Sequence, residues 1–246
     1  MSRRCILWSD TATSTNDLAL GGDGAQPGSV WVTDHQTKGR GRRVGATQRL
    51  WFAPPGDSVL MSMRFEPKLT AQETPALTLA AAVGVARAVS EVCGLEVGLK
   101  WPNDLFIGGR KVGGILTEGR TSDDGRVVVV VGVGLNLNVE AGDFPDELAS
   151  VATSLSAEAG RGFDRLSVVT AVADALSDVV ELATQPQGLR PILEEWQARS
   201  VMDGRRVKTS PGGVEGVARG LSAEGGLLVE TAAGEVEIKS GEVLWG

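Results

Sequence analysis

Residues 98–118 read Gly98-Leu99-Lys100-Trp101-Pro102-Asn103-Asp104-Leu105-Phe106-Ile107-Gly108-Gly109-Arg110-Lys111-Val112-Gly113-Gly114-Ile115-Leu116-Thr117-Glu118. Gly108-Gly109 between two apolar runs is a strong hairpin signal, because the favoured tight turn needs positive φ at both central residues. Strands are therefore predicted at Glu96 to Lys100, Asp104 to Ile107 and Arg110 to Glu118. The next run, Val127 to Asn136, opens on consecutive valines, as expected of a strand buried on both faces.

Working outward, Ser58 to Phe65 predicts a strand with Val59, Met61 and Met63 on one face. Thr74-Pro75 opens a long helix to about Val92, with proline in the first turn where its missing N–H costs nothing. Toward the N-terminus, Cys5 to Trp8 and Ser29 to Thr33 read as strands. Ser14 to Leu20 reads as a short helix behind the capping residues Thr13-Ser14-Thr15-Asn16-Asp17. Toward the C-terminus, Arg165 to Ala183 and Leu189 to Arg199 are helical, and Asp203-Gly204 is a boundary. Five short glycine-punctuated segments follow: Arg206 to Thr209, Val214 to Leu221, Leu227 to Glu230, Glu235 to Ile238 and Glu242 to Leu244. The expected class is α+β: a mixed β-sheet flanked by helices over residues 1–200, and a small β-barrel over 201–246.

With 31 acidic and 24 basic side chains, the net charge of −7 argues against a duplex-binding surface. The positive charge is instead concentrated at Lys38 to Arg43 and at Lys100, Arg110 and Lys111, which suits a small anion better than a polymer. Cys5 and Cys93 lack metal or redox spacing, and the single His35 excludes a multi-histidine site. Met1-Ser2-Arg3-Arg4 is followed by no signal-peptide pattern, and the apolar stretches near Leu79 to Val89 and Val127 to Val133 look too short to span a bilayer. A cytoplasmic protein is expected.

Several segments use residues that a plain core would not choose. Gly39-Arg40-Gly41-Arg42-Arg43 alternates a permissive backbone with guanidinium forks that grip phosphate or carboxylate. Ser14-Thr15-Asn16 offers three small hydrogen-bonding side chains, suited to a polar uncharged head group or simply to a helix cap. Trp51, in Trp51-Phe52-Ala53-Pro54, is placed either to stack on a base or to anchor the end of the basic loop. Asp104 is the one candidate in Lys100-Trp101-Pro102-Asn103-Asp104 for Mg²⁺ or for orienting a cation, although Pro-Asn-Asp is also good turn chemistry. Lys111 heads an apolar strand, where an ammonium about 4 Å from an anion gains about 4 kcal/mol at an effective dielectric near 20. Gly113-Gly114 after it marks a bulge or a close approach. In Gly132-Val133-Gly134-Leu135-Asn136, glycines leave room for a flat ring and Asn136 can read an adenine edge. The phosphate-loop and dinucleotide signatures are absent.

The order and wording of these motifs resemble the biotin protein ligase family over most of the first 140 residues. The specific part is Lys-Trp-Pro-Asn-Asp followed closely by Lys-Val-Gly-Gly-Ile-Leu. The resemblance implies activation of biotin by MgATP to biotinyl-5'-adenylate, with release of pyrophosphate. The acyl group then passes to a lysine of a biotin carboxyl carrier protein or domain. It implies that Ser14, Thr15, Asn16 and Gln36 line the biotin site, with Gly39, Arg40, Gly41, Arg42, Lys111, Gly113 and Gly114. Arg40, Arg42, Arg43, Trp51, Lys100, Asn103, Lys111, Gly134 and Asn136 would contact ATP or the adenylate. Lys111, Arg40 and Asp104 would be catalytic, with Asp104 the candidate at the metal. The alternative on the same scaffold is a lipoate or octanoate ligase or transferase.

Two departures from the family pattern stand out. Val44-Gly45-Ala46-Thr47-Gln48-Arg49-Leu50 lengthens the arginine loop before Trp51. The chain also begins almost at the catalytic domain, so a ligase without operator binding to DNA is expected. Sheet edges in such a fold are compatible with a homodimer.

Overall fold

A computed structural model describes residues 5–21, 26–44, 47–68, 74–121 and 125–245, with the side chains of 43–49 outside the description. The main sheet has the order β1-β2-β5-β9-β8-β7-β6. Its strands are β1 (Ile6–Ala12), β2 (Val30–Gln36), β5 (Ser58–Phe65), β6 (Gly98–Lys100), β7 (Asp104–Ile107), β8 (Arg110–Thr121) and β9 (Val127–Asn136). β1 and β2 run parallel and the other neighbours antiparallel, so the sheet is mixed. Gly108 and Gly109 take φ of +57° and +79° between β7 and β8, the positive values that a tight hairpin turn demands.

The alternation of strand residues divides the sheet into two faces. Val129, Val131, Val133 and Leu135 of β9 join the main apolar core, as do Val59, Met61 and Met63 of β5. On that face lie the helices α2 (Thr74–Cys93), α5 (Arg165–Ala183) and α6 (Leu189–Ala198). Ala80, Ala81 and Ala82 are all buried, and at Gly84 an added Cβ would sit 3.0 Å from Val179, so α2 and α5 pack closely. By length and composition Pro75–Cys93 is apolar enough to cross a membrane, contrary to the sequence expectation. In this fold it is a core helix, with 67% of that window buried.

The opposite face carries α1 (Thr15–Gly21), which packs on β2, β5 and β9. On β8 and β9 this face is lined by Gly114, Leu116, Gly132 and Gly134, paired in register. Small residues there leave open space beside α1.

The arginine loop is in fact a hairpin, β3 (Arg40–Val44) and β4 (Thr47–Leu50), with a register shift between Arg40 and Arg43. Gly41 weakens the strand and suits a bulge, and the register shift beside it adds the extra residue. The short 3₁₀ turn Ala141–Asp143 and the helices α3 (Asp146–Ala149) and α4 (Leu155–Ala159) were not expected.

The C-terminal segment forms five strands as expected: β10 (Arg206–Ser210), β11 (Glu215–Leu221), β12 (Leu227–Thr231), β13 (Gly234–Ile238) and β14 (Glu242–Trp245). Their order is β13-β12-β11-β10-β14, and among the described residues no pairing closes β13 onto β14. The expected barrel is thus an open antiparallel sheet among the described residues, and its buried apolar side chains are continuous with the main core. Val207, Ala218, Leu227, Val229, Ile238 and Val243 belong to the same core as α2 and α6. Trp101 fastens the junction, its backbone N–H reaching Met202 Sδ at 3.1 Å and its indole N–H donating to the Gly225 carbonyl at 3.0 Å.

Candidate active site

A cavity of about 560 Å³ opens on the glycine-lined face of the sheet. Its floor is neutral and polar. Ser14, Thr15 and Asn16 are buried at the start of α1, where the chain turns off β1. The Thr15 backbone N–H donates to Gln36 Oε1 at 2.8 Å, and Ser62 Oγ donates to Thr15 Oγ1 at 2.7 Å. Ser62 Oγ also lies 2.5 Å from Asn16 Oδ1, while Asn16 Nδ2 reaches Glu118 Oε2 at 2.6 Å. Gly132 makes this possible, since a Cβ there would fall 2.2 Å from Asn16 Oδ1.

The rim is charged. Lys111 Nζ lies 2.6 Å from Asp104 Oδ1 and 5.7 Å from the centre of the Trp51 ring. Its backbone is held by Lys111 N–H to Val151 O at 2.8 Å and Thr153 N–H to Lys111 O at 2.9 Å. Arg42, on the hairpin, donates to the Gly241 carbonyl at 3.1 Å. Burial pulls the Arg42 pKa below the ordinary arginine value, opposed by the charges of Asp104 and Glu242. A guanidinium that is costly to desolvate gains from an anion placed beside it. Arg40 pairs with Asp17 and Glu118, and the hydrogen bonds it donates to Asp17 raise its pKa above the ordinary value. Lys100 Nζ sits over the Trp245 ring at 4.4 Å and the Phe106 ring at 5.8 Å, a cation–π arrangement.

The cavity brings together Ser14, Thr15, Asn16, Gln36, Arg40, Gly41, Arg42, Trp51, Lys100, Asn103, Asp104, Lys111, Gly114, Gly134 and Asn136 from separate segments. Gly39 and Gly113 do not line it. Gly113 points to the core side, where a Cβ would meet Leu135 at 2.6 Å and Leu105 at 3.0 Å, so it is a packing glycine. At Gly39 a Cβ would come 3.2 Å from Gln36 Nε2 and 3.3 Å from Trp51 O, a tight backbone crossing beneath the hairpin. The Arg43 side chain lies outside the described residues. The room left by Gly134 is filled by the Trp51 indole, 2.7 Å from where a Cβ would stand. Asn136 ties the cavity wall through Nδ2 to Thr153 O at 2.9 Å, and Asn103 ties its loop to Ile115 O at 2.7 Å.

Sequence reasoning missed two parts of the wall: Phe144, Leu148, Ser150, Val151 and Ala152, and Gly241 to Trp245. In the first, Val151 and Ala152 reach the site through backbone pairing with Lys111, which leaves no mark on side-chain choice, and Phe144 and Leu148 join it through a small apolar cluster with Phe52. The second carried a usable signal, because Trp245 is a large aromatic at the end of the short strand β14.

A hairpin of alternating arginines over a neutral pocket, with a lysine at the junction, is the layout of an acid-activating ligase. Residues 8–136 match the biotin/lipoate A/B protein ligase family, and residues 205–246 match the biotin protein ligase C-terminal domain. The chain is 37% identical over 245 residues to the bifunctional ligase/repressor BirA of Bacillus subtilis, covering 98% of this chain and 74% of that protein. It is 31% identical over 245 residues to the biotin–[acetyl-CoA-carboxylase] ligase of Paracoccus denitrificans, covering 95% and 97%. The Aquifex aeolicus biotin protein ligase in complex with biotin and ATP superposes with a TM-score of 0.85 at 28% identity, covering 98% of each chain. The chain belongs to the biotin protein ligase family.

Proposed function

We infer that this protein is an ATP-dependent biotin–[carboxylase] ligase. It joins biotin to ATP as biotinyl-5'-adenylate and then passes the acyl group to a lysine of a biotin carboxyl carrier domain. The observation that carries this reading is the single cavity in which a neutral hydrogen-bonding floor meets Arg42, Lys100 and Lys111. An uncharged ureido ring matches the floor, and two anionic reacting groups match the cations.

In the first step a biotin carboxylate oxygen bonds to the α-phosphorus while the bond to the β-phosphate oxygen breaks, and pyrophosphate leaves. Lys111 lies at the junction of floor and rim, where its ammonium offsets the charge of both approaching groups. Asp104 orients that ammonium through the 2.6 Å contact. Arg42 and Lys100 meet the phosphate oxygens, and preorganised charge of this kind lowers the barrier without reorganisation. Trp51 and Asn136 flank the place for the adenine. In the second step the neutral lysine amine of the carrier bonds to the acyl carbon, AMP departs, and the nitrogen loses its proton. No covalent intermediate on this chain is required.

Mg²⁺ enters as MgATP. The cavity carboxylates are Asp104 and Glu242, and no group of three His, Cys, Asp or Glu that could hold a metal occurs among the described residues. That donor set fits an ion that keeps its waters and substrate phosphates and takes one or two carboxylates.

The test is a transfer assay with the full chain, MgATP and an isolated carrier domain, read by streptavidin blot. Signal with biotin, together with calorimetric binding of biotin and none of lipoate, is expected. Lipoate binding without biotin binding would transfer the chain to the lipoate branch of the scaffold.

A further inference from the structure

The geometry points to Asp17 and Glu118 as positioning residues that hold the Arg40 guanidinium, and with it the β3–β4 hairpin, on the cavity rim. The inference rests on the ligase reading above. Arg40 Nη1 donates to Asp17 Oδ2 at 2.9 Å and Nη2 to Asp17 Oδ1 at 2.6 Å, a two-pronged fork. Nη2 also reaches Glu118 Oε2 at 3.2 Å. Two carboxylates more than neutralise one guanidinium. In this state Arg40 is therefore a fastener between the hairpin and the body, and phosphate neutralisation falls to Arg42, Lys100 and Lys111.

The placement explains why the fastening matters. Arg40 and Arg42 are two residues apart on β3, and both line the cavity. One is fixed to α1 and β8, the other to the Gly241 carbonyl at 3.1 Å. The strand thus crosses the cavity with a tie at each bank. The same Glu118 oxygen accepts from Asn16 Nδ2 at 2.6 Å, which registers the tie on the floor where biotin sits. At the hairpin base, Trp51 N–H donates to the Gly39 carbonyl at 3.0 Å, so the Arg40 contact governs the part beyond it. An adenylate formed beneath is retained as long as both ties hold.

The side chains of Arg40, Asp17 and Glu118 are 22%, 44% and 33% exposed, so water and salt weaken the contact. In the full-length chain, Asp17→Asn is expected to speed release of preformed biotinyl-adenylate about fivefold, the upper range for half-exposed ion pairs. Asp17→Glu should restore slow release. Glu118→Gln, which keeps an amide oxygen for Asn16, should speed it about twofold. In an Arg40→Ala background, Asp17→Asn should add nothing, because its target is gone. Unchanged release in Asp17→Asn, or the same acceleration with Arg40 absent, overturns the assignment. Amide hydrogen exchange over residues 40–50 in the ligand-free protein gives an independent readout. Faster exchange in Asp17→Asn supports the tie, and equal exchange refutes it even if the wild type forms no adenylate, a result that would sink the ligase reading alone.

Discussion

The cavity floor, where Thr15, Asn16 and Ser62 are buried on α1 and β5, contrasts with its rim, where Arg42, Lys100 and Lys111 carry the charge. Floor groups bond to one another, to Gln36 and to Glu118, and sit on α1 and β5. Rim groups lie on a hairpin, on strand ends and against the C-terminal sheet, and they bond to carboxylates, carbonyls and aromatic rings. The difference separates two jobs. In the proposed function the floor would read shape and neutral hydrogen bonding, which salt leaves untouched, whereas the rim would supply positive potential, which salt screens. A ligand with an uncharged head and an anionic tail spans both.

The sharpest way to break the contrast is at the junction. Lys111→Ala should lower adenylate formation on the order of a hundredfold or more, as loss of one preorganised charge does. Thermal unfolding should move little, because Lys111 is partly exposed. A collapsed melting temperature with full activity in the folded fraction would make Lys111 structural instead.

Next in size is the floor. In Gly132→Ala the new methyl would displace Asn16, and biotin affinity should fall roughly 10- to 100-fold through unpaired polar groups. Calorimetry should show ATP binding retained. Equal losses for both ligands would erase the division of labour.

On the rim, Arg42→Gln should weaken ATP binding roughly tenfold and flatten its salt dependence. Titrations at low and high ionic strength measure this, and an unaltered salt slope would remove Arg42 from phosphate contact.

The smallest effect lies away from the cavity. Glu195 accepts from Arg87 across α6 and α2, and that hydrogen bond holds its carboxyl below the ordinary value. A depressed carboxyl stabilises the fold above its unfolded pKa and loses that contribution as pH falls through the folded one. Glu195→Gln should therefore cost less than about 1 kcal/mol, or about 2 °C, at neutral pH. Melting curves of variant and wild type should converge in acid below the ordinary carboxylate range, with activity the same throughout.

Legibility in the sequence followed the kind of signal each region carries. Strand β9 and helix α5 have the expected bounds because a valine run and a bounded apolar periodicity mark them. Most proposed site residues meet in one cavity because arginines between glycines, or a lysine heading an apolar strand, conflict with ordinary packing. Gly113 and Gly114 show where motif reading ends: alternation sends one to the core and the other to the cavity. Val151 and Ala152 were silent because they approach Lys111 through main-chain bonds. The Arg40 tie was silent too, since Asp17 reads as an ordinary first-turn helix acid.

In the proposed function, neutral floor and charged rim together activate one acid on one nucleotide. Exchange of labelled pyrophosphate into ATP measures that step without any acceptor protein. Exchange that requires biotin, persists in Glu195→Gln and falls on the order of a hundredfold or more in Lys111→Ala is the predicted result. Absence of biotin-dependent exchange by the well-folded wild-type chain would contradict it.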